Sequence, residues 1–254
     1  MRKPDIFDEI IQCLKTDGRI GADTSMNEET LRDLYARPVR KAPARVPAPA
    51  QNAQGVPPAY APDLPEWESL RTECASCMKC GLGKTRTNMV FADGSPHAEL
   101  MFIGEGPGAD EDATGVPFVG RAGELLSRMI AAMTFDRKTE TCIANIVKCR
   151  PPQNRDPQPD EQDVCIEWLR EQVRVLRPKV IVCLGRIAAQ RLIDPEFRVT
   201  REHGQFVEKK GIHMMGTFHP AALLRNPKQK PDAFDDFLAL RDKLVELGLQ
   251  PPVH

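Results

Sequence analysis

No run of about eighteen apolar residues occurs in the 254-residue chain, so no membrane-crossing helix is expected. An excess of one charge is missing too: 35 basic residues face 36 acidic ones, for a formal net charge of −1. That balance excludes a histone-like polycation, although a local basic face would still suffice for nucleic-acid binding. No secretory leader is expected either. The opening "MRKPDIFDEIIQCLK" has early positive charge, but Asp5, Asp8 and Glu9 interrupt its apolar residues and no small-residue cleavage site follows. A cytoplasmic location with no membrane partner is therefore expected. Structural disulfides are rare in that compartment, so clustered cysteines favour metal or redox chemistry.

Apolar residues make up 41% of the chain, enough for a substantial core. Their spacing predicts a short amphipathic helix over 5–15, with Ile6, Ile10, Ile11 and Leu14 on one side, and a second over 27–36. From Ala36 to Pro65 the chain is rich in proline and alanine and poor in large apolar side chains, the composition of a disordered or polyproline-like linker. Three parts follow: an N-terminal helical module over 1–35, a linker over 36–65, and a body over 66–254.

The body alternates between apolar runs and helical periodicity. Strands are expected at "ELMFIG" (99–104), "TCIANIV" (141–147), "KVIVCLG" (179–185) and "IHMMGTF" (212–218). Helices are expected over 120–133, 159–178, 186–193 and 231–248, the second with Val164, Trp168, Leu169, Val173 and Leu176 inward. Alternation with near-continuous apolar strands indicates an α/β fold on a buried, four-stranded parallel sheet. Ligands of such sheets bind at the carboxyl ends of the strands. Here those ends carry Gly104-Glu105-Gly106-Pro107-Gly108, Asn145 to Cys149, Gly185-Arg186 and His219-Pro220.

Of the eight cysteines, Cys74, Cys77 and Cys80 stand three apart in "TECASCMKCGLGKTR". Cys149 leaves the second strand and Cys165 lies on the next helix. Those two with two of the triplet would complete a four-thiolate site, suited to structural zinc or a 4Fe–4S cluster. Alternatively Cys149 and Cys165 are ordinary buried residues, as free cysteines often are. Cys142 and Cys183 sit inside strands and read as core, and Cys13 has no partner signal. The triplet starts like a bacterial ferredoxin run, but no cysteine follows Cys80 until Cys142, so that run does not continue.

"GEGPGADEDATGVPFVGRAG" (104–123) is a glycine-rich loop after a strand, able to approach a ligand closely. It fits neither a dinucleotide fingerprint, because Pro107 and an acidic run interrupt it, nor a phosphate loop, because no Gly-Lys-Ser/Thr follows. Phe118 is either a core residue or a stacking platform for a flat ring.

"GEGPGADEDATGVPFVGRAGELL", "NIVKCRPPQNRDP" and "FHPAALLRNP", in that order, resemble the family 4 uracil-DNA glycosylases, the iron–sulfur branch of their superfamily. The resemblance runs from Cys77 to the C-terminal helix. It implies a three-layer α/β/α domain and a structural 4Fe–4S cluster held by Cys77, Cys80, Cys149 and Cys165, leaving Cys74 as a spare. It also implies uracil-containing DNA, single- or double-stranded, as the partner, and a monomer.

The chemistry of uracil excision assigns further expectations. A base must leave the stack before an enzyme can act on it. Phe118 would stack on it, and the Asn145 amide would read its O4 and N3–H edge. His219 would donate to O2 as negative charge develops on the leaving base. Glu105 would position the attacking water or steady the sugar cation; Asp110, Glu111 and Asp112 are the alternatives, or else a solvated acidic loop. Gly106 and Pro107 would complete the uracil pocket. Arg150, Arg155 and Arg225 would contact the DNA backbone, as would Lys228 and Lys230, and Leu223, Leu224 or Arg225 could fill the gap left by the flipped base. Ala222 stands where an aromatic often follows the His-Pro-Ala or His-Pro-Ser run in the family. The competing reading is a non-catalytic nucleic-acid-binding or polymerase-associated module of the same fold. The segment before residue 66 could contact a replication or repair protein, though no motif in it says so.

Overall fold

The computed structural model describes residues 64–249. The helices expected over 5–15 and 27–36, and the linker up to residue 63, lie outside the described residues. None of the described helices is long and apolar enough to cross a membrane.

The chain enters through α1 (Pro65–Ala75), whose Trp67, Leu70 and Cys74 form one buried stripe at helical spacing. A short 3-10 turn at Gly81–Lys84 leads to β1 (Asp93–Gly94) and β2 (Leu100–Gly104). Two helices follow, α2 (Ala109–Thr114) and α3 (Arg121–Ala132), then β3 (Thr141–Asn145). The second half runs through α4 (Pro159–Leu176), β4 (Val180–Leu184), α5 (Arg186–Leu192) and α6 (Val199–Glu202). It ends with the hairpin β5 (Phe206–Lys209) and β6 (Ile212–Thr217), then α7 (Pro220–Arg225) and α8 (Lys230–Glu246).

The fold is α/β, as expected, but the sheet has six strands and is mixed, correcting the four-stranded parallel expectation. Its order is β1-β3-β2-β4-β6-β5. The four expected strands form the parallel centre, and β1 and β5 add antiparallel edges. Residues of β2, β3 and β4 are buried throughout, so their apolar runs are unbroken. β1 has two residues and β5 is mostly exposed, so neither carries an apolar run.

Side chains alternate between the two faces of the sheet. On β2, Met101 and Ile103 join α1, α4 and α5 in one core. Leu100 and Phe102 join α3, α7 and α8 in the other, where the Phe102 and Phe237 rings stack with centroids 6.0 Å apart. Helices cover both faces, giving the three layers the resemblance implied. On α4 the inward stripe is Cys165, Ile166, Leu169, Gln172 and Leu176; Val164, Trp168 and Val173 flank it rather than centre it. The helix is turned that way because polar Gln172 is fully buried, accepting from Lys148 Nζ at 2.5 Å and donating to Phe91 O at 3.0 Å.

β3 and β4 lie on opposite sides of β2, so the chain reverses its direction of travel across the sheet at this point. The carboxyl ends of β2, β3, β4 and β6 open there onto one cleft, the expected place for a ligand in an α/β sheet.

Candidate functional site

The cleft encloses about 580 Å³. Glu105, Gly106, Pro107, Phe118, Asn145, His219 and Arg225 all line it, so the sequence-predicted base-binding residues come together. Arg155 also lines it, but its guanidinium is held by Glu161 at 2.8 and 2.6 Å. Glu161 is buried and also accepts from Gln158 N, closing the first turn of α4. Arg150 is engaged by the side chain of Asn154 at 2.8 Å. Leu224 is not brought into the cleft; it packs against the core beneath α7.

Asn145 ends β3 and is 1% exposed. Its Oδ1 is the buried side-chain polar atom with no hydrogen-bond partner among the described residues. Gly104, paired beside it on β2, makes room: a Cβ there would lie 2.5 Å from Asn145 Oδ1 and 2.6 Å from Phe118 Cζ. Glycine at this point lets an amide and an aromatic edge meet over bare backbone.

Phe118 is buried in the core, as one reading expected, and it also lines the cleft. Its φ of 54° is left-handed, an outlier for a bulky side chain. Its ring lies 5.6 Å from that of His219.

His219 caps α7, and its Nδ1 accepts from Ala221 N at 3.1 Å. An accepting Nδ1 carries no proton, so the neutral ring carries it on Nε2. Burial, with Arg225 nearby, pushes His219 down to about 4, so the ring is neutral at physiological pH. Glu105 shows the opposite shift. Burial, with Asp156 nearby, pushes its carboxyl up to about 7 against the opposing pull of Arg186 and Arg225.

The acidic run is not a solvated loop. Asp110, Glu111 and Asp112 lie on α2, and Asp112 is buried, accepting from Thr87 N at 2.9 Å. Glu111 is a latch: Oε2 accepts from Gly108 N, and Oε1 accepts from Val119 N and Gly120 N, at 3.0 to 3.1 Å. It joins the glycine loop to the segment carrying Phe118. Sequence reasoning missed Asn154 and Asp156, which also line the cleft, as does Arg186 just past the end of β4. Asn154 adopts a left-handed φ of 55°, and Arg186 pairs with Asp156 at 2.5 Å. The polar stretch "QNRDP" was the available signal for Asn154 and Asp156.

A separate pocket is lined by Cys74, Cys77, Cys80, Cys149 and Cys165 with Arg86, Lys148 and Trp168. Cys142 and Cys183 are wholly buried in strands, as expected. Among the described residues no group of three or more His, Cys, Asp and Glu closes to single-ion spacing; the thiols line a chamber instead. Three donors point at sulfur. Arg86 Nη1 lies 3.0 Å from Cys149 Sγ, Trp168 Nε1 3.3 Å from Cys77 Sγ and Lys148 N 3.3 Å from Cys165 Sγ. Lys148 itself is 1% exposed, and among the described residues its Nζ donates to two neutral acceptors, Asn145 O, at 2.8 Å, and Gln172 Oε1. Burial pushes its ammonium down, and nearby thiols oppose that only when ionised. A set of ligated thiolates would meet these demands, so the residues fit a thiolate-bound centre. Cys74 differs: it is 1% exposed in the core, and burial pushes its thiol up to about 12.

The Uracil DNA glycosylase superfamily profile matches residues 91–240. The chain is 45% identical over 178 residues to the type-4 uracil-DNA glycosylase of Archaeoglobus fulgidus, covering 67% of this chain and 89% of that one. It is 42% identical over 161 residues to the type-4 uracil-DNA glycosylase of Thermotoga maritima, covering 63% and 83%. A weaker similarity, 27% over 153 residues, reaches a DNA polymerase of Bacillus phage SP01, covering 60% of this chain and 16% of that one.

Gly104→Ala would force its new methyl against both Asn145 and Phe118. Activity on the substrate is expected to fall about a hundredfold, since a misplacement near 1 Å costs that much in a positioned site. Steady-state kinetics on the purified variant check this, and unchanged kinetics would refute the close packing.

Proposed function

The chain belongs to the uracil DNA glycosylase superfamily, in its type-4 branch, and from that premise we propose how its residues excise uracil from DNA in base repair. The carrying observation is the buried, unpartnered Asn145 Oδ1, set between Gly104 and Phe118 in the cleft that also holds His219. A buried acceptor without a donor calls for a ligand N–H. Uracil supplies one at N3 and an acceptor at O4, which the Asn145 amide matches. Cytosine offers an acceptor at N3 and a donor at C4, leaving both amide groups opposed.

The flipped ring stacks on Phe118, and His219 Nε2–H faces its O2. Bond cleavage leaves negative charge on the uracil and positive charge on the sugar. A neutral histidine acts as a preorganised donor at the developing oxyanion, and the Ala221 N–H fixes its tautomer. Glu105, with Gly106 and Pro107 beside it, steadies the sugar cation or orients water, work for which it must be ionised. Arg225, which lines the cleft, would contact the DNA backbone, as would Arg150. Arg155 holds the loop before α4 through Glu161.

Cys77, Cys80, Cys149 and Cys165 would hold a 4Fe–4S cluster, with Arg86 and Trp168 as donors to its thiolates. When bound, the cluster supplies covalent cross-links between the segment after α1, the loop leaving β3 and helix α4. The phage polymerase similarity favours a second reading, a non-excising module, which should bind a uracil-containing strand and leave it intact.

Wild-type protein should release free uracil from U·G, U·A and single-stranded oligonucleotides and leave alkali-labile abasic sites. Asn145→Ala and His219→Ala should each lose about 10²–10³-fold in kcat. Equal activity in all three proteins would sink the assignment. With Glu105 raised to about 7 and needed as carboxylate, activity should rise with pH through that region. His219, lowered to about 4, should not titrate in that window. Glu105→Gln should abolish this limb, whereas a limb retained in the variant would place the titrating group elsewhere.

Visible absorbance tests the cysteine assignment. Cys74→Ser should keep the broad iron–sulfur band. Cys77→Ser and Cys149→Ser should lose it, and a coloured Cys149→Ser variant would exclude that thiol as a ligand.

A further inference from the structure

Arg137 belongs to none of the recognisable motifs, yet its side chain, 15% exposed, sits behind the stacking ring. It leaves the turn between α3 and β3. Nε donates to Asp93 Oδ2 at 3.0 Å, and Nη2 lies 3.0 Å from the same oxygen. Nη2 donates to Pro117 O at 2.8 Å. Nη1 donates to Phe118 O at 2.9 Å and Ser127 Oγ at 2.7 Å, with Gly123 O farther off at 3.4 Å. These contacts use the whole fork of guanidinium donors, a pattern that a lysine ammonium cannot reproduce. Asp93 is itself shared with Lys138, whose Nζ lies 2.5 Å from Oδ1.

The contacts fall on both carbonyls that flank the strained residue. Phe118 is held at φ 54°, which for such a side chain persists only where the surroundings over-determine it. Arg137 grips Pro117 O and Phe118 O at once. Gly123 completes the grip, because a Cβ there would fall 1.8 Å from Phe118 O. The Arg137 carbonyl also accepts from Thr141 Oγ1 at 2.7 Å, at the start of the strand that ends in Asn145. One residue therefore ties the segment carrying the ring to the strand carrying the amide, through α3 and the edge strand β1.

We infer that Arg137 is a positioning residue that holds the Phe118 ring where a flipped base stacks, acting through Phe118 without touching the substrate. This inference rests on the uracil-excision reading of the cleft. It differs from a general stabilising role because its effect must vanish when the ring is absent.

A double-mutant cycle makes that distinction. Excision kinetics would be measured for wild type, Arg137→Lys, Phe118→Ala and the double variant, with inhibition by free uracil as a second readout. Arg137→Lys should lower kcat/KM by about 10–100-fold, the range expected for a displaced positioning group, and weaken inhibition by uracil. The double variant should be no worse than Phe118→Ala alone. Asp93→Asn, which loosens the anchor while keeping its shape, should give a smaller loss that also disappears in the Phe118→Ala background. Thermal unfolding of each variant separates loss of fold from loss of position. Losses that multiply in the double variants, or wild-type kinetics in Arg137→Lys, would overturn the role of Arg137 and leave the excision reading intact. A wild-type chain that releases no uracil would overturn both.

Discussion

The site is organised around a carbonyl oxygen that the protein buries and leaves without a donor. Asn145 Oδ1 has no donor among the described residues, and a buried hydrogen bond left unmade costs about 1–3 kcal/mol. A ligand with a donor at that point, such as an N–H, would offset the cost. The surrounding chain keeps other donors away. Gly104 has no side chain, Phe118 covers the amide with an apolar edge, and β3 is buried on both faces. Lys148 holds the Asn145 backbone carbonyl from behind, so the amide cannot relax outward by moving its strand.

The same lysine joins two sites that lie on different parts of the fold. Its backbone N–H points at Cys165 and its Nζ at Asn145 O and Gln172, so the cysteine pocket and the strand that ends in Asn145 share one buried lysine. An unneutralised ammonium in that position would be costly. Thiolates ligating a cluster in the neighbouring pocket would supply the compensating charge. The proposed cluster would therefore act electrostatically as well as mechanically, holding the loop between β3 and α4 and making the lysine's position tenable. On the other side of the sheet, Glu111 and Arg137 do comparable work with carboxylate and guanidinium, fixing the segments on either side of Phe118.

Much of this was legible in the chain. Near-continuous apolar runs marked β2, β3, β4 and β6; the first three are buried on both faces and β6 over its second half. The edge strands carried no such mark, β1 being two residues long and β5 mostly exposed. Helix α2 was hidden for a different reason. It spans six residues, too few to show a period, and its acids read as a solvated run although one caps a turn and another is buried. Two of the triplet cysteines could be selected only through a family resemblance; packing separates Cys74 by burying it in the core beneath α1. Arg155 read as a DNA contact because its pairing with Glu161, six residues on, depends on where α4 begins. Arg137 and the unpartnered state of Asn145 Oδ1 were not legible at all, since both are products of tertiary packing.

The most direct test of the central claim compares inhibition of excision by free uracil and by 3-methyluracil. The methylated base keeps its ring, O2 and O4 but has no N3–H to give the buried oxygen. It should inhibit at least about a hundredfold more weakly than uracil, as expected when a site built around a hydrogen bond meets a ligand lacking it. Equal inhibition by the two bases would contradict the account, because the unpartnered Asn145 oxygen would then have no part in recognising the base.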